Sequence, residues 1–208
     1  MNNEFLQAVQ KGDVGAIQRY IDSGVDVTQR DADGNTPLMI AAAAGQFSAV
    51  KTLLTNKVDI NARNREGMTA LMLGAAMRHE DMIKLLVARG ANVNVASEDG
   101  NTPLMIAARH ALLGGVTTLL EAGAAVNSAN KEGVTAVMQA ARTQHVGVVK
   151  ALVDASADTK ARDTFGRRAY QYAFEKGTPP AVVQRLLRGE SAPVRQTADK
   201  PWWRIWGK

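Results

Sequence analysis

The stretch Asp33-Gly34-Asn35-Thr36-Pro37-Leu38-Met39-Ile40-Ala41-Ala42 recurs letter for letter at Asp99 to Ala108. Looser copies begin at Glu66-Gly67-Met68-Thr69-Ala70-Leu71-Met72 and at Glu132-Gly133-Val134-Thr135-Ala136-Val137-Met138. The glycines Gly34, Gly67, Gly100, Gly133 and Gly166 follow one another at a single constant step. A step of this size marks stacked supersecondary units rather than one closed core.

Each recurring letter has a local task. The glycines follow Asp33, Glu66, Asp99, Glu132 and Phe165, where a tight turn needs positive φ. Thr36, Thr69, Thr102 and Thr135 are placed to cap a helix through the side-chain oxygen. Pro37 and Pro103 then take the first helical position, where the missing N–H costs nothing. The alanine pairs Ala41-Ala42, Ala75-Ala76, Ala107-Ala108 and Ala140-Ala141 keep this first helix slim.

A second helix follows in each unit, with apolar residues three and four apart. They are Val50, Leu53, Leu54; Ile83, Leu86, Val87; Val116, Leu119, Leu120; and Val149, Leu152, Val153. Gly90 and Gly123 stand where such a helix ends in a left-handed residue, a place held by Lys57 and Ser156 in the other two full units.

Turn, T-P-L helix, short loop, longer helix and the closing pieces Gly90-Ala91-Asn92-Val93-Asn94 and Gly123-Ala124-Ala125-Val126-Asn127 together resemble the ankyrin repeat over about 185 residues. The resemblance implies an all-α ankyrin-repeat solenoid of helix-turn-helix units joined by β-hairpin-like loops. The family usually carries His after T-P-L. Here Met39, Met72, Met105 and Met138 take that place, and a thioether donates no hydrogen bond, so packing is their expected role.

Residues 1–32 read as a worn N-terminal capping repeat, 33–164 as four full repeats, 165–188 as a C-terminal capping repeat and 189–208 as a flexible basic tail rich in tryptophan. Between the two helices of a unit, the glycine at Gly45 is replaced by Arg78, Ala111 and Gln144, which would strain a left-handed turn. In unit 99–131, Leu112-Leu113-Gly114-Gly115 replaces a polar helix start. The alignment of Leu112 with Gln46, His79 and His145 predicts an exposed side chain, and the two glycines predict a weakened helix.

The chain has 208 residues, no cysteine and a net charge of +5. Thiolate chemistry, disulfides and cysteine metal sites are thereby excluded. From Phe165 onward nine Lys/Arg face three Asp/Glu, so residues 1–164 carry about −1. The basicity belongs to the last fifth of the chain and argues against a nucleic-acid footprint along the repeats. No apolar run approaches the length that spans a bilayer, and Met1 to Asp13 lacks the pattern of a signal peptide, so a cytoplasmic protein is expected, with export the alternative where a signal has been removed; a monomer is expected as well.

No nucleophile motif, phosphate loop or zinc spacing stands out. His79 and His145 are two units apart, too far to share a metal, and read as solvated loop residues. No catalytic residue, cofactor or metal is expected. The resemblance implies instead that another protein binds the concave side, on hairpin tips and first helices. The candidate partner-binding residues there are Arg65, Met68, Met77, Arg109, His110, Lys131, Val134 and Arg142. In the tail, Trp202, Trp203, Arg204 and Trp206 admit three readings: packing on the repeats, binding a partner, or touching a membrane as the anchor of an adaptor. A regulatory subunit acting through that tail is the other alternative.

Overall fold

The structure, a computed structural model, describes residues 3–56 and 58–190. The described residues form twelve short helices in pairs. They are α1 (Asn3–Lys11), α2 (Val14–Asp22), α3 (Pro37–Ala43), α4 (Phe47–Leu54), α5 (Ala70–Ala76), α6 (Glu80–Ala88), α7 (Pro103–Arg109), α8 (Leu113–Glu121), α9 (Ala136–Thr143), α10 (Val146–Asp154), α11 (Ala169–Ala173) and α12 (Ala181–Arg188). First helices stack on first helices, α3 on α5, α5 on α7, α7 on α9 and α9 on α11. Behind them α6 packs on α8, α8 on α10 and α10 on α12. The core is the continuous seam between these two rows, and Met39, Met72, Met105 and Met138 are all buried in it.

The caps follow the letters, with one exception. Thr36, Thr69 and Thr102 each accept a hydrogen bond from the N–H of the methionine three residues on. The sulfur of Met39 in turn accepts from the Thr36 N–H at 3.4 Å, a weak bond, so the thioether contributes an acceptor where it lacks a donor. Thr135 makes no such cap, and its buried hydroxyl has no partner among the described residues.

The loops between units are turns rather than extended ribbons. Among the described residues the sole isolated β-bridge joins Ala129 to Thr135. Each turn closes in the same way: the N–H groups of Asp31, Asn64, Ser97, Asn130 and Asp163 reach the carbonyls of Asn35, Met68, Asn101, Val134 and Arg167. Neighbouring tips are then tied by backbone, with Arg65 N–H donating to Asp33 O, Glu98 to Glu66, Lys131 to Asp99 and Thr164 to Glu132. One such bond between each of these tips and the next fixes their spacing.

Some of these expectations hold and others need correction. Arg78, Ala111 and Gln144 do adopt the left-handed turn, with φ of 65°, 56° and 57°, so these loops keep the shape that Gly45 has. Gln144 offsets its strain by donating through Nε2 to Ala173 O at 2.8 Å. Leu112 is buried, 4% exposed, and its neighbour Leu113 is the exposed one at 40%. Before α4 and α6 this residue points back to the preceding unit, Gln46 toward Gln10 O and His79 toward Ala43 O, whereas His145 before α10 accepts from Val148 N–H of its own helix. Leu112 holds the same place before α8 and is part of the core. His79 is half-buried and hydrogen-bonded rather than solvated. Gly114 and Gly115 also have a packing reason. A Cβ on Gly114 would lie 2.4 Å from Glu80 Oε2 and one on Gly115 2.7 Å from Ile83 Cδ1, so α8 approaches α6 closely and a side chain at either place would displace the end of a flexible neighbour. In the closing unit Tyr172 fills the core at 2% exposure, while Phe174 and Val182 stand outside at 41% and 40%.

Candidate functional site

The hairpin tips and first helices enclose a row of clefts along one side of the stack. The first, of 270 Å³, has Asn35, Met39, Ile40 and Leu73 in its walls. The next, of 470 Å³, is lined by Arg65, Met68, Ser97, Asn101, Ile106 and Arg109 together with the acids Glu66, Glu98 and Asp99. The third, of 380 Å³, is lined by Asn101, Arg109, Asn130, Lys131, Gln139 and Arg142, with Asp99 and Glu132. The second and third share Asp99, Asn101 and Arg109, so they form one groove.

The sequence builds this groove through a second residue series that the motif reading passed over. Asp31, Asn64, Ser97, Asn130 and Asp163 recur at the same step as the turn glycines, two positions before Asp33, Glu66, Asp99, Glu132 and Phe165. Each side-chain oxygen accepts the backbone N–H four residues on, in Asn35, Met68, Asn101, Val134 and Arg167. A side chain thus fixes the turn that presents the tip. The period itself was the available signal, since small polar residues at a constant step before a turn glycine are turn-forming.

Side-chain ties between tips alternate. Asn64 Nδ2 donates to Asn35 Oδ1 at 2.8 Å, and Asn130 Nδ2 to Asn101 Oδ1 at 3.0 Å. In the intervening pair Met68 and Ser97 offer no such amide bond. The second cleft lies at that place.

Of the predicted partner-binding residues, Arg65, Met68, Arg109, Lys131 and Arg142 line the groove. Among the described residues no ion pair involves Arg65, Arg109 or Lys131, leaving their charges available. Arg142 is committed internally: its Nε meets Glu175 Oε2 at 2.6 Å and its guanidinium lies over Tyr172, 5.6 Å from the ring centre. Met77 is 54% exposed at the end of α5, outside the clefts. His110 also lies outside them. Its partial burial, with Arg109 and Arg78 nearby, holds its pKa below the ordinary histidine value, so the neutral ring is favoured. Val134 corrects the expectation of a surface contact. It is 4% exposed: the Asn130 turn sets its backbone as the Asn64 turn sets that of Met68, and the shorter side chain of Val134 lies within the core. Trp202, Trp203, Arg204 and Trp206 lie outside the described residues. Residues not foreseen at the groove are Ser97, Asn130, Ile106 and Gln139.

At the far end, a 440 Å³ cleft is lined by Lys160, Arg162, Arg168, Tyr170 and Arg188, with no acid among its walls. Among the described residues no group of three or more His, Cys, Asp or Glu is placed to hold a metal ion, and no helix is long and apolar enough to cross a membrane.

A preformed groove on a stack of paired helices defines the class: a helical repeat solenoid with a continuous lateral surface. The family model for ankyrin repeats (3 copies) matches residues 5–97 and 104–197, and the chain belongs to that family. Ankyrin repeats are generally protein–protein interaction modules, typically non-catalytic. No curated protein matches the chain.

Proposed function

We propose that this protein is a non-catalytic binding module that holds a segment of a partner protein in the groove between hairpin tips and first helices. The observation that carries this reading is the continuity of the second and third clefts through Asp99, Asn101 and Arg109, with Met68 and Ile106 on the apolar part. The tips are tied to one another by backbone and side-chain bonds before any partner arrives. Little conformational entropy is therefore lost on association. Met68 and Ile106 together with Arg65, Arg109 and Lys131, which no described ion pair engages, suit a partner with apolar and acidic side chains, and Arg and Met are favoured in such contacts.

The test is affinity capture from the source cell with three full-length baits. They are the wild type, the groove variant Met68→Asp with Arg109→Ala, and the variant Lys84→Ala on the second-helix row. We expect a protein retained by wild type and Lys84→Ala to be lost from the groove variant, with circular dichroism unchanged. Retention by the groove variant together with loss from Lys84→Ala would move the binding surface to the second helices.

A further inference from the structure

Arg30, Arg63 and Arg162 share one register of the repeat, with Ala96 and Ala129 at the two places between. Each guanidinium donates to the glycine carbonyl of the turn that follows it, at Gly34, Gly67 and Gly166. The first two also reach one repeat further on. Arg30 donates to Arg63 O at 2.6 Å, and Arg63 Nη2 donates to Ala96 O and Glu98 Oε1, both at 3.1 Å. Among the described residues Arg162 makes the turn bond alone. It lines the 440 Å³ cleft of the last unit with Lys160, Arg168, Tyr170 and Arg188. All four cations are exposed, so a ligand can reach them. No described acid pairs with Lys160, Arg162 or Arg168, while Arg188 lies over the Tyr170 ring and meets Glu190 at 3.6 Å.

We propose that this cleft holds an extended acidic segment of a partner protein. Arg162 donates to a backbone carbonyl of that segment and to a carboxylate two residues on, as Arg63 does with Ala96 and Glu98. Lys160 and Arg168 meet the adjoining acidic side chains. The planar fork of an arginine matches a carboxylate, and three of the four cations are arginines. Residues 191–208 of the chain itself carry four Lys/Arg against one Asp, and like charges repel, so the complementary occupant comes from another chain. The cleft shares no lining residue with the groove. It is a second docking surface, and its failure would leave the groove reading standing.

The test uses a display library of random twelve-residue peptides selected on the full chain. Counter-selection on the double variant Arg162→Ala with Arg168→Ala removes peptides bound elsewhere. The most enriched peptide is labelled and titrated into wild type, Arg162→Ala, Lys160→Ala and Arg109→Ala. We expect it to carry acidic residues and to bind Arg162→Ala and Lys160→Ala about tenfold more weakly, with Arg109→Ala unchanged. The Lys160 ammonium makes no ion pair among the described residues, so its loss tests the cleft without breaking one in the fold. Exchanging the acids of the peptide for their amides should weaken it about tenfold again. Failure of any peptide to survive counter-selection would overturn the proposal, and so would an amide peptide that binds as well as the acidic one. Displacement of the peptide by an equal concentration of twelve-nucleotide polythymidine would show a patch that takes any polyanion. All three tryptophans lie within residues 191–208. A shift of their emission between wild type and Arg162→Ala, with no peptide present, would place the chain's own end in the cleft and overturn the assignment to a partner. Self-association of wild type in sedimentation that Arg162→Ala abolishes would overturn it in favour of a second copy.

Discussion

The turns at Ser97 and Asp163 have the same backbone and very different support. Ser97 N–H reaches Asn101 O at 2.9 Å, and Asp163 N–H reaches Arg167 O at 3.0 Å. Ser97 adds one side-chain bond, from Asn101 N–H to Oγ at 3.1 Å. Asp163 adds four: from Phe165 N–H, Arg167 N–H, Arg167 Nε and the Tyr172 hydroxyl, all within 2.9 Å. Its side chain is fully shut from solvent. Arg167 also bonds Tyr172 and lies over its ring, and Glu175 joins Arg167 to Arg142 of the unit before. The contrast teaches where a stack places its polar reinforcement. An internal turn has a neighbouring tip on each side, whereas the closing unit must be tied down by its own side chains.

Burial of the Asp163 carboxyl pushes its pKa up, but hydrogen bonds from Tyr172, Arg167 and Phe165 outweigh this and hold it at about 2. Burial and the same bond to Asp163 push the Tyr172 hydroxyl up to about 12.

The largest effect should come from breaking the stronger turn. Asp163→Ala removes all four hydrogen bonds that the buried carboxylate accepts, and should lower the unfolding free energy by about 3 kcal/mol. Ser97→Ala should lower it by about 1 kcal/mol. Urea titrations of the two variants compare the turns directly, and equal losses would break the contrast.

A somewhat smaller effect should appear in acid. The folded pKa of Asp163 lies below that of an unfolded aspartate, so the ionised form stabilises the fold above about pH 4. That contribution, about 2 kcal/mol, should vanish as the pH falls from about 4 to 2. Thermal unfolding across this window should show the loss in wild type and a shallower one in Asp163→Ala. Ser97→Ala should keep the full acid step.

The smallest effect should come from upgrading the weaker turn. Asn64 and Asn130 use one amide oxygen for two backbone N–H groups, and Ser97 has a bond to Asn101 alone. Ser97→Asn should raise stability by about 0.5 kcal/mol, read as a small increase in the urea midpoint. A decrease would mean that the second cleft has no room for the amide.

Much of the fold was legible because its causes are local. The constant glycine step, the Thr caps, the Pro starts and the apolar spacing lie within a few residues of the structure they produce. The site was legible only in part. Arg65, Met68, Arg109 and Lys131 could be placed on the groove from their register, and the structure puts them there. Val134 shares its register with Met68 yet is buried, and Leu112, expected on the surface, is buried as well.

The sequence by itself determined the repeating unit, the order of its helices and the buried methionine row. Tertiary structure alone decided which charges remain available and which buried groups lack partners. Arg142 is engaged by Glu175, His79 by Ala43 and Gln46 by Gln10, each in a neighbouring unit of the stack. Gln139 keeps an acceptor that no described residue meets. The physical reason is that turns and caps are completed by residues a few positions apart in the chain, whereas the surroundings of a side chain on the groove are supplied by a neighbouring unit in the stack.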